Sequence, residues 1–249
     1  MRCLCWCSAA LMLAGCGGVS HHAATQPFAY DAAAPLDVQD AGVYASSARA
    51  VVHDISYAGA GGARVPAYLV VPRSSGPHPG VLLLHGSGGD RRDLLVEGAL
   101  LGQLGAVAIV ISQPNDAATY RPLVVNARRA IDVLDARADV DPKRIGVVGF
   151  SLGAQTAAIL AGADRRVDDA EIIAGRGTAV ARFWLAKTHA ALFFQAGTKD
   201  QVVPHAQLQA LIDAAPGTPK VRWYPVGHEL DGPIDTDLLA WQAAELRLR

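Results

Sequence analysis

Four short runs in this 249-residue chain carry side chains suited to nucleophilic chemistry. The first is Gly149-Phe150-Ser151-Leu152-Gly153. A serine between two glycines, placed after an apolar strand and before a helix, can sit on a sharp turn with its hydroxyl clear of the sheet. The glycines let strand and helix approach without Cβ clashes. The second run, His85-Gly86-Ser87-Gly88-Gly89, is a glycine-rich bend able to expose backbone N–H groups to a developing oxyanion. The predicted donors are the N–H groups of Leu152 and Ser87, with Gly88 as the less favoured second donor. The third run, Gly197-Thr198-Lys199-Asp200, offers a carboxylate that can orient an imidazole, and the fourth, Gly227-His228, offers the imidazole. Asp168 and Glu171 are the competing acids. His53, His78 and His189 precede Asp200 and so cannot complete the order Ser, acid, His with it; His205 follows Asp200 by only five residues, at the start of a helical segment. His85 reads as a brace for its own loop.

These side chains need a scaffold that brings distant strand ends together. Val51–Tyr57 and Val65–Val71 are β-rich and flank Gly59-Ala60-Gly61-Gly62, which predicts an antiparallel hairpin. Beyond it, apolar runs at 80–84, 106–111, 144–149, 170–174, 190–195 and 221–224 alternate with helical segments near 94–104, 122–136, 152–161, 205–214 and 236–248. Continuous apolar strands alternating with helices predict a mostly parallel sheet covered on both faces. Each candidate residue then falls at the carboxyl end of a strand, where such sheets place their reactive groups.

In these four runs, together with Val81-Leu82-Leu83-Leu84 and Asp141-Pro142-Lys143-Arg144-Ile145-Gly146-Val147-Val148, the chain resembles the α/β-hydrolase superfamily, and within it the dienelactone-hydrolase and prolyl-oligopeptidase-like esterases. The resemblance covers residue 50 to the C-terminus. It implies an α/β-hydrolase fold: an eight-stranded, mostly parallel sheet with the second strand antiparallel, helices on both faces and little or no cap. It also implies a Ser151-Asp200-His228 triad, with Ser151 after the fifth strand. Dienelactone hydrolases carry Cys as the nucleophile. The Ser here favours cleavage of carboxylic esters with small or medium acyl groups, with no metal and no cofactor. Thioester or amide cleavage by the same triad, and a non-catalytic binding protein on this fold, are the alternatives. Arg176, Phe183, Trp184 and Lys187, in the short segment 175–189, either line the substrate pocket or form a short helix that packs Trp184 on the core.

The N-terminus has a different character. All four cysteines, Cys3, Cys5, Cys7 and Cys16, lie in the first sixteen residues, so residues 17–249 hold neither a disulfide nor a cysteine metal site. Residues 4–15 form an apolar stretch shorter than the about 20 residues of a membrane-spanning helix. It ends in Leu13-Ala14-Gly15-Cys16, which resembles the lipobox of bacterial lipoproteins. That resemblance implies a signal peptide over 1–15, lipidation of Cys16, and a location in the bacterial cell envelope, with the membrane as partner through the anchor. An ordinary signal peptide or a different start codon is the alternative. Residues 16–49, rich in Ala, Gly, Ser and His, read as lipidation site and flexible linker, with the catalytic domain over 50–249. A net charge of −1 with 18% charged residues gives no electrostatic basis for nucleic-acid binding. The expected partner is a small-molecule ester.

Overall fold

A computed structural model of the protein describes residues 27–229 and 233–248. Among these residues nine strands form one sheet: β1 (Gln39–Ser46), β2 (Ala50–Ala58), β3 (Arg64–Pro72), β4 (His78–Leu84), β5 (Val107–Ile111), β6 (Val140–Phe150), β7 (Val167–Ile173), β8 (Ala191–Gly197) and β9 (Lys220–Tyr224). Their order across the sheet is β1-β2-β3-β5-β4-β6-β7-β8-β9. The pairs β1/β2, β2/β3 and β3/β5 are antiparallel, and the pairs from β5 through β4 to β9 are parallel. The expected hairpin is β2–β3, in continuous register from Ala50 opposite Pro72 to Ala58 opposite Arg64.

Six α-helices among the described residues cover the sheet: α1 (Leu95–Gln103), α2 (Tyr120–Asp135), α3 (Leu152–Ala163), α4 (Ala179–Leu185), α5 (His205–Ile212) and α6 (Pro233–Glu245). The strands are apolar on both sides because both sides are covered. Every residue of β4 and β5 is buried. On one face Leu82, Ile109, Ile145 and Phe194 pack with Val124 and Ile131 of α2, Ile159 of α3, Leu185 of α4 and Leu208 of α5. On the other, Val81, Leu83, Val110 and Val148 pack with Leu101 of α1 and Leu238 of α6. Helix α3 shows little amphipathic bias; its run of Ala and Gly is buried along most of its length, which suits close packing under β6 and β7.

Two expectations change. The sheet has nine strands rather than eight, because β1 adds to the antiparallel edge; β2 to β9 are the eight expected strands, and Ser151 follows the fifth of them. The stretch 16–49, read as linker, is not all tether. From Pro27 onward it is strapped to the body. Arg121 donates to the carbonyls of Pro27 and Ala29, Arg128 to that of Phe28, and buried Arg129 to those of Ala34, Pro35 and Ala58. The Tyr30 hydroxyl donates to Asp132 at 2.8 Å. Its burial and that bond raise its pKa to about 12. Residues 27–49 are therefore packed on the body rather than free of it. The signal peptide over 1–15 and Cys16 lie outside the described residues. Among the described residues no helix is long and apolar enough to cross a membrane.

Candidate active site

Strand β6 ends at Phe150 and α3 begins at Leu152, leaving Ser151 alone to make the turn. Its φ of 54° and ψ of −107° lie in a region that side-chain-bearing residues rarely occupy. The strain is held from both sides. The Ser151 N–H donates to the Ile173 carbonyl at 2.9 Å, and the Ser151 carbonyl accepts from Gln155 N–H at 3.2 Å. The flanking glycines are sterically required. A Cβ on Gly149 would lie 2.3 Å from the Gly153 carbonyl oxygen, and one on Gly153 would lie 1.9 Å from that of Leu84.

His228 reaches Ser151 from the loop after β9. Its Nε2 is 3.0 Å from Ser151 Oγ, and its Nδ1 is 2.7 Å from Asp200 Oδ2. The ring packs against Phe150 at a centroid distance of 5.1 Å. The loops that bear the acid and the imidazole are tied together: Thr198 N–H donates to the Tyr224 carbonyl and Lys199 N–H to that of Val226. Asp200, with a side chain only 3% exposed, is fully used. Its Oδ1 accepts from the N–H groups of Val202 (2.8 Å) and Val203 (2.9 Å) while Oδ2 faces His228. Burial alone would raise its pKa. The bonds from His228, Val203 and Val202 outweigh burial and hold the carboxyl below its ordinary range. An ionised Asp200 fixes His228 as the Nδ1–H tautomer, leaving Nε2 to accept from the serine hydroxyl.

The competing acids lie elsewhere. Asp168 accepts from the Ile145 N–H near the start of β7, and Glu171 is buried beside Gln242 of α6. Three of the four other histidines considered are engaged apart from Ser151: His53 faces Asp40, His78 the Ser74 carbonyl, and His205 stacks on Trp223.

The glycine-rich loop after β4 is braced more thoroughly than its sequence suggests. Buried His85 donates from Nδ1 to the Gly86 carbonyl at 2.6 Å and accepts at Nε2 from Gln113 N–H at 2.7 Å. The Gln113 side chain returns a bond to the His85 carbonyl at 2.8 Å. Asn115 Oδ1 accepts from Gly88 N–H at 2.8 Å, and its Nδ2 donates to the Gly89 carbonyl at 3.0 Å. Gln113 and Asn115 were not singled out in the sequence. The available signal was two amide side chains directly after β5, beside the strand that carries the loop. Gly86 lies against the turn: a Cβ there would be 3.3 Å from Ser151 Cβ. The first turn of α3 leaves its leading N–H groups without helical partners, Leu152 first among them.

The segment after β7 forms helix α4, capped by Thr178, whose hydroxyl accepts from Ala181 N–H. Trp184 packs inward on the core while Phe183 is 57% exposed, so the short-helix alternative describes this segment. Tyr120 at the start of α2 donates to Gln155 of α3 at 2.6 Å and lies 3.4 Å from the Thr178 hydroxyl. Gln155 lies one helical turn along α3 from Ser151. No cap is inserted here; α4 alone joins β7 to β8.

Comparison with known proteins agrees with this architecture. Residues 110–231, from the end of β5 to just past His228, match the dienelactone hydrolase family. No curated protein matches the chain. Among solved structures, an acetyl xylan esterase from Paenibacillus sp. R4 superposes with a TM-score of 0.73 at 19% identity, over 85% of this chain and 89% of its own. Acetyl xylan esterase 1 from Thermoanaerobacterium sp. JW/SL YS485 gives 0.70 at 16% identity, over 85% and 88%. A dienelactone hydrolase from Anabaena variabilis ATCC 29413 gives 0.68 at 20% identity, over 81% and 100%. The chain thus has an α/β-hydrolase fold, and residues 110–231 of it match the dienelactone hydrolase family.

Proposed function

We propose that this protein is a serine hydrolase that cleaves carboxylic esters through an acyl-Ser151 intermediate. The observation that carries the reading is His228, bridged between Ser151 Oγ at 3.0 Å and Asp200 Oδ2 at 2.7 Å. Ser151 Oγ attacks the ester carbonyl carbon while its proton passes to His228 Nε2. The tetrahedral oxyanion accepts from the N–H groups of Leu152 and Ser87; Gly88 N–H is already held by Asn115. Collapse expels the alcohol, which takes the proton from His228. Water, deprotonated by His228, then attacks the acyl carbon, and the acid leaves as Ser151 is restored. Asp200 keeps the ring oriented and stabilises its protonated form. No step requires a metal or organic cofactor.

The substrate proposed is a small or medium acyl ester. Two things support it: the absence of an inserted cap between β7 and β8, and the acetyl esterases among the structures of like fold. The Leu13-Ala14-Gly15-Cys16 run supports a lipid anchor on Cys16 and a place in the bacterial cell envelope. Mass spectrometry of the mature N-terminus tests that part: an unmodified Cys16 or a cleavage elsewhere contradicts it. For the chemistry, a fluorophosphonate probe should label the wild type on Ser151 and leave Ser151→Ala unlabelled. Ser151→Ala should also lose hydrolysis of p-nitrophenyl acetate while keeping its circular dichroism spectrum. Normal turnover by that variant rejects the proposal.

A further inference from the structure

Helix α4 presents a surface that the proposed chemistry does not use. Val180 and Phe183, 41% and 57% exposed, lie on its outer side, and Val202 of the Asp200 loop is 55% exposed. Lys187 folds back over this surface, its Nζ 3.7 Å from the centre of the Phe183 ring. Between residues 172 and 199 the chain contains Arg176, Arg182, Lys187 and Lys199, and no Asp or Glu. All four cations are exposed. Among the described residues Arg176 is bonded to a backbone carbonyl, that of Val202, at 3.0 Å. Exposed aromatic and aliphatic side chains accompanied by cations that form no ion pair among the described residues match the chemistry of an anionic lipid interface, where rings sit at headgroup depth and each basic side chain is drawn to the surface potential.

The path of the chain points to the same face. The described body begins at Pro27, and the Phe28 ring packs on Trp184, the neighbour of Phe183, at 5.5 Å. Twenty-six residues precede Pro27 in the sequence, and Pro27 is one residue from this contact. Fully extended at about 3.5 Å per residue, the stretch from Cys16 to Pro27 spans on the order of 40 Å at most. A lipid on Cys16 would therefore keep α4 within reach of the bilayer.

We propose that the outer face of α4, with Val180, Phe183, Lys187 and the adjoining Arg176, Arg182, Val202 and Lys199, docks on an anionic lipid surface. Thr178, which caps α4, meets the Tyr120 hydroxyl that donates to Gln155, one helical turn along α3 from Ser151, so docking would bring this side of the Ser151 turn toward the membrane. The docking rests on this surface and on the chain path, not on the triad assignment; its bearing on the site rests on that assignment.

The test uses the full chain with Cys3, Cys5, Cys7 and Cys16 replaced by Ser and a single environment-sensitive fluorophore on Val180→Cys. A matched protein carries the label on Val96→Cys of α1, a 66% exposed position on the other face of the sheet. With vesicles of phosphatidylcholine and phosphatidylglycerol, the label at 180 should brighten several-fold and shift to the blue, and the label at 96 should not. Vesicles of phosphatidylcholine alone, or added salt, should remove most of the response. Arg182→Glu with Lys187→Glu should weaken it at least tenfold. Placing Ser151→Ala in the labelled chain should leave it intact, which separates this proposal from the catalytic one. An equal response at both positions means attachment through the N-terminal segment alone, and overturns the proposal. So does a label at 180 that is already shielded before lipid is added, which means that the chain's own N-terminal segment or a second copy covers α4. No response at 180 also overturns it.

Discussion

Asn115 holds the loop that carries Gly88, accepting its N–H at 2.8 Å and donating to the next carbonyl, that of Gly89, at 3.0 Å. This pairing decides which loop amide is free to meet an oxyanion. Gly88 is committed, and Ser87 remains. Asn115→Ala frees both groups and lets the bend relax. The expected result is a loss of about tenfold in kcat with little change in KM, since an oxyanion donor acts in the transition state rather than on bound ester. Steady-state kinetics on p-nitrophenyl acetate measure it; a loss confined to KM would assign Asn115 to substrate binding instead.

Gly153 tests the turn. A methyl group there meets the Leu84 carbonyl at 1.9 Å, and neither the first turn of α3 nor the end of β4 is free to move aside. Gly153→Ala should cost about 3 kcal/mol, the upper part of the range for overpacking a well-filled interior. Urea unfolding with intrinsic tryptophan fluorescence reads this directly. A variant as stable as wild type would show that the strand and helix can separate without penalty.

Asp200→Asn keeps an oxygen able to accept from Val202 and Val203, so the loop should survive. Its amide would face His228 Nδ1 as a donor and favour the tautomer whose Nε2 carries the proton. Turnover should fall on the order of 10⁴-fold with the fold retained, as for other triads of this kind. A drop of less than tenfold would mean that another group orients His228.

A second pair of carboxyl groups makes a separate prediction about pH. Asp169 and Glu171 of β7 are buried under α6, where one Gln242 amide donates to both, at 2.8 and 3.3 Å. Burial pushes Asp169 up to about 8, against the Gln242 bond and with help from Glu245 and Asp168; burial likewise raises Glu171. In the unfolded chain Asp169 ionises near its ordinary value of 3.8. The folded protein therefore binds more protons between that pH and about 8. Stability is fully present below the unfolded value and declines as pH rises toward and through about 8. Asp169→Asn removes this loss and should raise the melting temperature at pH 8.5 by at least about 3 °C, which corresponds to about 1 kcal/mol for a domain of this size. At pH 4 the two proteins should differ far less. A difference that does not grow with pH contradicts the assignment.

Much of the architecture was legible in the chain itself. Residues 80–84 and 106–111 are apolar without interruption because β4 and β5 are covered on both faces, so strand identity is written locally. The same holds for Ser151 between Gly149 and Gly153, where steric need leaves a residue-level mark. Residues 27–46 were not legible. Their order comes from Arg121, Arg128 and Arg129 on α2, which grasp backbone carbonyls, and a carbonyl is present at every position whatever the side chain. The strand β1 is exposed along its whole length and so lacks the apolar alternation that marks a half-buried strand.

The sequence by itself determined the alternation of strands and helices, the turn at Ser151 and the order in which Ser151, Asp200 and His228 occur. These depend on local sterics and on periodicity, which neighbouring residues encode. Only the tertiary structure decided that these three side chains meet within hydrogen-bonding distance, that Asn115 takes the N–H of Gly88, and that Phe28 packs on Trp184 of α4. Each is a contact between residues far apart or on different loops, set by the twist and order of the strands, and no local run of residues records it.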